Sequence, residues 1–262
     1  MPNHVTNILE AKDIMTLPIY KTDENGDKEL DFNMIIPMPE DLNITSGCER
    51  DLVSCYLTKV QDVEIMKAVK KYYGEDTIAR LFPAPHILTQ EEIDDIVSKY
   101  TATGKSFDDL ANDGKVYVDN IVKYGYPDWY AWRCANWGTK WNSYDFQEMD
   151  DDTIEYLTAW SPAEPIVKKL SEMYPEKRFH LLYSDEFIGQ FAGEQVYEGG
   201  KLVEDIYAEG LDHEAMPELL YKIFEYLVKE CVYIDKDGNV VKKTCDDCQC
   251  YDDCDRLTSP RY

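Results

Sequence analysis

Strand-like and helix-like patterns follow one another along this chain in an order that few folds accommodate. Residues 4–11, HVTNILEA, set Val5, Asn7 and Leu9 against Thr6, Ile8 and Glu10. Their β-branched and apolar content on both sides predicts a strand central in a sheet. A polar turn around Asn25-Gly26 leads to the apolar run Phe32-Asn33-Met34-Ile35-Ile36, where Pro37 and Pro39 end any strand pairing.

From residue 48 to 138 the period becomes helical, with Leu52, Cys55, Tyr56, Val60, Val63, Met66 and Val69 at roughly one-turn intervals. Thr89 to Glu92 reads as a capping box. Pro127 suits the first turn of a further helix and Gly138 its close. Two aromatic-rich arms, WNSYDFQEM and TIEYLTAW, flank a turn at Asp150-Asp151-Asp152 and predict a hairpin. Ser161 to Glu164 is read as a second capping box, with Pro162 in the first turn. The helix it opens buries Ile166, Val167, Leu170, Met173 and Tyr174, and Pro175 stops it. Phe179 to Tyr183 is a strand, and residues 187–208 form a hairpin across Glu198-Gly199-Gly200.

The resulting order is strand, helical region, two strands, helix, strand, which is the order of a ferredoxin-like antiparallel sheet in the α+β class. The expanded helical insertion, about residues 48–138, follows the first strand. A C-terminal helix over 213–229 and a small hairpin over 232–243, turning at Asp237-Gly238, follow the core. Residues 1–244 are expected to form a single elaborated domain and 245–262 a Cys-rich acidic tail. The 44% hydrophobic and 13% aromatic content supports a core without help from disulfides or metal.

Lys and Arg number 27 against 52 Asp and Glu, a net charge of −25. A field of that sign repels nucleic acid and anionic membranes, so direct contact with either is not expected. No run of apolar residues is long enough to span a bilayer, and the opening Met1-Pro2-Asn3-His4 lacks a basic region followed by an apolar block. A cytoplasmic location is the expectation. Asn43-Ile44-Thr45 fits a glycosylation acceptor only for an exported chain, and is read as loop or strand end.

Several segments together carry a resemblance: MPNHVTN at the start, FNMIIPMPEDL at 32–42, NWGTKWNSYD at 136–145, AWSPAEPIVKKLSEMYPEKRFHLLYSDE and FAGEQVYEGG. In these segments the chain resembles the YubB-like family of phage, plasmid and other mobile-element proteins. That resemblance implies a ferredoxin-like domain without an established function, and it offers no catalytic residues to carry over. The Cys-rich tail departs from the family pattern.

In the tail, Cys245, Cys248, Cys250 and Cys254 lie within ten positions. Thiolates so spaced can converge on tetrahedral zinc, with the interleaved Asp residues welcoming a cation. The competing reading is a reduced tail, or disulfides acquired in air. Cys48, Cys55, Cys134 and Cys231 sit among apolar residues and read as small core side chains. A candidate binding patch gathers Trp129, Arg133, Asn136 and Trp137 on one helical face with Lys140, Trp141, Asn142 and Asp145 beyond it. The structural alternative is that the indoles are buried, the cations lie over them, and the amides satisfy backbone groups.

The histidines His4, His86, His180 and His213 form no close metal pair. His4 and His180 both fall on strands and are read as satisfied strand residues, with a pairing across the sheet as the alternative. No phosphate loop or nucleophile elbow occurs. Asp23 to Asp27 and Asp235 to Gly238 are hairpin turns rather than calcium loops, for want of the closing Glu.

The expected function is therefore a non-enzymatic accessory protein of mobile-element type that binds a host or phage protein. One alternative is an acidic DNA mimic that blocks a nuclease or restriction enzyme, using Glu91, Glu92, Asp94, Asp95, Asp108, Asp109, Asp150, Asp151 and Asp152 in paired rows. The other is an enzyme acting through the Trp/Asn patch.

Overall fold

A computed structural model describes residues 3–22, 26, 28–74, 84–187, 190–209, 218–220, 222–223, 232–234 and 240–242. In chain order the elements are β1 (His4–Glu10), β2 (Tyr20–Thr22), β3 (Lys28–Leu30), α1 (Phe32–Ile35), α2 (Glu49–Lys59), α3 (Val63–Tyr73), α4 (Gln90–Lys99), α5 (Phe107–Tyr124) and α6 (Trp129–Asn136). There follow β4 (Tyr144–Glu148), β5 (Thr153–Ala159), α7 (Glu164–Met173), β6 (Arg178–Asp185), β7 (Phe191–Glu198), β8 (Lys201–Glu209), β9 (Val232–Ile234) and β10 (Val240–Lys242). The chain divides into two compact units, one built from Met1–Pro37 and the chain from Asn136 onward, the other from Met38–Ala135.

The first unit is organised by a six-stranded sheet in the order β4-β5-β1-β6-β7-β8. Every neighbouring pair is antiparallel. β4, β5, β1 and β6 with α7 give the ferredoxin-like arrangement, and the β7–β8 hairpin widens it on the β6 side. Val5 and Leu9 on β1 share a face with Leu181, which lies opposite Leu9, so these residues occupy one layer of one sheet.

That face carries α1 and α7. The Phe32 ring meets Trp137 and Tyr156 edge-on at 5.8 and 6.0 Å, and Ile166, Val167 and Leu170 of α7 are fully buried. Gly193 on β7 leaves room for Tyr183 opposite it on β6, since a Cβ at 193 would stand 2.2 Å from the Tyr183 ring. On the other face lie Ile8, Leu157, Leu182 and Val196. The helical residues 218–220 and 222–223 belong to this second face. Leu219, Leu220 and Ile223 are buried and Lys222 reaches Glu194 at 2.6 Å.

The second unit is helical. Leu52, Val53, Cys55 and Leu57 of α2 pack with Val69, Ile96, Leu110, Tyr117, Val118 and Ile121. Gly114 lets α5 approach α2 to backbone contact, because a Cβ there would lie 1.9 Å from the Leu52 carbonyl oxygen. The Thr89–Glu92 capping box forms as expected, and Ser106 with Asp109 makes another at the start of α5. The helical period from Leu52 to Val69 runs through two helices, α2 and α3, because the Asp62 carboxylate accepts from the Glu64 and Ile65 amides and begins a new helix.

Other local expectations are corrected. Phe32 to Ile35 form a helical turn rather than a strand, since the Asp31 carboxylate accepts from Asn33 N and caps it. Asp128 caps α6 by accepting from Tyr130 and Ala131, so Pro127 precedes the helix instead of lying in its first turn. Ala163, not Ser161, is the residue at the start of α7, and Pro165 occupies its first turn. Ser161 instead donates its hydroxyl to the Gly138 carbonyl. Met173 is exposed, at the end of the α7 stripe. His4 and His180 do not approach across the sheet: His4 begins β1, whereas His180 is registered against Glu10 at its end.

β2 and β3 form the hairpin expected around Asn25-Gly26, and β9 pairs with β10 as expected. Among the described residues no helix is long and apolar enough to cross a membrane. The cysteine cluster Cys245, Cys248, Cys250 and Cys254 lies outside the described residues, as do Cys231, His213 and the Asp237-Gly238 turn.

Candidate functional site

The residues expected to form one patch are divided between the two units. Trp129 and Arg133 belong to the helical unit, where the Arg133 guanidinium lies 5.1 Å from the Trp129 ring. Asn136 closes α6 and, with the residues that follow, belongs to the sheet unit.

Two of those following residues hold structure together. Trp137 is buried, with its indole N–H donating to the Ile36 carbonyl at 2.9 Å. Asn142 accepts from the Phe32 amide at 2.7 Å and donates to Glu29 and Asp31, so one side chain ties β3, α1 and the approach to β4 together. Ser143 beside it donates to the Leu30 carbonyl.

Lys140 and Trp141 do something different. The Lys140 ammonium stands 3.8 Å from the centre of the Trp141 ring and 3.8 Å from that of Trp160, clasped between two indoles. Both rings stay at the surface, 39% and 46% exposed. Trp160 follows the last residue of β5, a strand buried along its length, and its backbone enters the left-handed region at φ 70°. For a side chain of that bulk the conformation costs about 1–2 kcal/mol.

The surroundings hold the clasp. The Thr139 hydroxyl donates to the Ala159 carbonyl at 2.9 Å and accepts from the Ala159 amide at 3.2 Å, both buried. Together with the Ser161–Gly138 bond, this joins the loop carrying Lys140 to the end of the strand carrying Trp160. The Trp160 amide donates to the Asn3 carbonyl at 2.9 Å.

Tyr144 extends the aromatic surface. Its ring lies 6.3 Å from Trp141 and 5.6 Å from His4, both edge-on. Its hydroxyl donates to the Thr158 carbonyl at 3.1 Å, which leaves the oxygen to accept from His4 Nδ1 at 2.7 Å. Burial, then the charges of Asp145 and Glu186, push that hydroxyl up to about 12. Asp145 is itself left-handed, at φ 50°.

A second cluster occupies the opposite end of β1. His180 Nδ1 meets Glu10 at 2.5 Å and Nε2 meets Glu194 at 2.8 Å, while Lys222 holds the other Glu194 oxygen. Burial opposes charge on the imidazole, but the hydrogen bonds and charges of Glu10 and Glu194 outweigh it and raise the His180 pKa. For Glu194 burial is likewise outweighed, here by Lys222 and His180, and its pKa is lowered. With both ring nitrogens bonded to carboxylates, His180 has no nitrogen left to offer a substrate. Among the described residues no three His, Cys, Asp or Glu side chains are grouped so as to hold a metal ion.

Sequence reasoning anticipated Lys140 and Trp141 but missed Trp160, Tyr144 and His4 as their companions. All three stand in segments read as sheet, and only strand register and the turn at Trp160 bring them to one end.

The fold that positions this surface is a ferredoxin-like domain. Residues 136–221 match a family model described as the ferredoxin-like domain in Api92-like protein. Among solved structures, the crystal structure of a protein api92 from Yersinia pseudotuberculosis is similar over 79% of this chain and 98% of that one, with 10% identity and a TM-score of 0.36. No curated protein matches.

Proposed function

We propose that this chain is a non-enzymatic accessory protein of mobile-element type, working in the cytoplasm, which binds a protein partner through the surface formed by Trp141, Trp160, Tyr144 and His4. The observation that carries the reading is the pair of half-exposed indoles, pre-set by buried hydrogen bonds at one end of the six-stranded sheet. Tryptophan and tyrosine dominate binding energy at protein interfaces, because they bury large areas at small entropic cost. The one hydroxyl–imidazole pair described on this surface, Tyr144 with His4, has its hydroxyl hydrogen directed to the Thr158 carbonyl rather than to the ring, so an enzymatic role has less support there.

The mimicry of DNA has less support too. Of the acids it would use, Glu92 and Asp109 complete capping boxes, Asp108 pairs with Lys59, and Asp95 with Lys99.

The test is capture from cells of the source with the wild-type chain and with a Trp141→Ala/Trp160→Ala variant, followed by titration of each purified partner candidate. The expected result is a partner whose affinity falls by at least about a hundredfold in the variant, at unchanged circular dichroism. A partner bound equally by both forms would remove this surface from the function.

A further inference from the structure

We infer that the Trp141–Trp160 clasp is a cation-binding cage occupied from within by Lys140, and that its external ligand is a lysine or arginine side chain on a basic segment of the protein partner. The inference rests on the proposed binding surface and names the chemistry it recognises.

Indole faces carry negative electrostatic potential, and two of them equidistant from one ammonium form a site for a cation. A lysine needed only to cover apolar area would lay its methylene stem along the rings and hold its ammonium in water, whereas here the ammonium itself stands over both ring centres. Here both rings remain partly exposed, and Trp160 is turned outward by a backbone conformation that a tryptophan disfavours. The site is also built before any ligand arrives, because Thr139 and Ser161 join its two sides.

The rim selects charge. Asp145 adjoins Tyr144 in the chain, the Glu186 amide donates to the His4 carbonyl at 2.8 Å, and the chain as a whole carries a charge of −25. A basic segment is drawn toward such a field, whereas an acidic one is repelled. Lys140 then serves as a tethered competitor: an incoming cation must displace it, and weak or isolated cations are rejected.

The competition can be measured. The probes are a pentapeptide with one central arginine flanked by glycines, its lysine counterpart, and a norleucine control, each titrated while the two indole N–H resonances of Trp141 and Trp160 are followed. Lys140→Ala should bind the arginine and lysine peptides at least about fivefold more tightly than wild type, with both resonances shifting. Lys140→Ala/Trp160→Ala should lose that gain, and norleucine should bind neither form. Lys140→Met, which keeps the stem, guards against an effect of lost packing and should show the same gain.

Equal affinity of wild type and both Lys140 variants for the arginine peptide would overturn the inference, as would equal binding of norleucine. The two readings fail separately. Loss of the partner in the double tryptophan variant without any cation gain in Lys140→Ala keeps the surface and removes the cage. A cation gain with the partner retained does the reverse.

Discussion

The two ends of β1 carry the same residue type in opposite chemical settings. At one end His4 sits among rings and bonds to the Tyr144 hydroxyl, with Trp141 and Trp160 left partly open to solvent. At the other His180 is bracketed by Glu10 and Glu194, and Lys222 completes the charge balance. The ionic end consumes its own groups, since each charge has a partner within the chain. The aromatic end keeps large ring area in reserve. An antiparallel strand can thus hold a structural fastening and a recognition surface within one element, provided the first is saturated and the second is not.

Glu194→Ala should break the contrast most. It leaves His180 with Glu10 alone and Lys222 with the more distant Glu218, at a position only 8% exposed, and should cost about 3 kcal/mol in urea unfolding, with the indole resonances of Trp141 and Trp160 unmoved. A loss below about 0.5 kcal/mol would mean that this end does not fasten the segment around Lys222.

Thr139→Val attacks the other end. It leaves the Ala159 amide and carbonyl without their buried partner, and should cost about 2 kcal/mol while broadening the two indole signals. Sharp, unshifted indoles would show that the clasp does not depend on this junction.

The pH dependence separates the ends by sign. A raised His180 pKa means that its stabilisation is complete below the ordinary histidine value of about 6.5 and is lost as pH rises through the folded value. Melting temperature should therefore decline across that window in the wild type, and His180→Gln should flatten the decline. Glu194, lowered, contributes above the ordinary carboxylate value and loses that contribution as pH falls through its folded value. A wild-type curve that instead climbs through the histidine window would reverse the assignment.

His4→Phe is the mildest change. It keeps the edge-on contact with Tyr144 and removes one hydrogen bond, for about 1 kcal/mol. Urea titration of the variant against wild type measures it, and a cost above about 3 kcal/mol would mark His4 as a fastening of the ionic kind.

Much of the architecture was legible because each element carries its own period. β1 is apolar on both sides because it has a neighbour on each edge and a covered layer on each face. The Thr89 box was readable because its donors and acceptors lie three residues apart. Misreadings arose where a distant group outbid a local one. Ser161 had a plausible cap partner nearby, but its single hydroxyl hydrogen goes to the Gly138 carbonyl, twenty-three positions earlier.

The candidate site was legible in part for the same reason. Lys140 and Trp141 are adjacent in sequence and draw the eye together. Trp160 reads as the last residue of a buried strand, and nothing in its neighbours foretells the backbone reversal that turns it outward. The carboxylates around His180 lie 170 and 14 positions away, so only strand register unites them.

The outermost strand, β8, has a further consequence. Leu202, Val203, Ile206 and Tyr207 are all exposed on it, and no described strand adjoins its far side. Such a margin is a template on which another chain could grow into a filament. Glu204, Asp205 and Glu209 stand along it as sentries of like sign, and Arg178 already engages the first of them. Solubility at this margin is therefore a property of those three carboxylates, and exchanging them for amides would remove its defence against ribbon-like association.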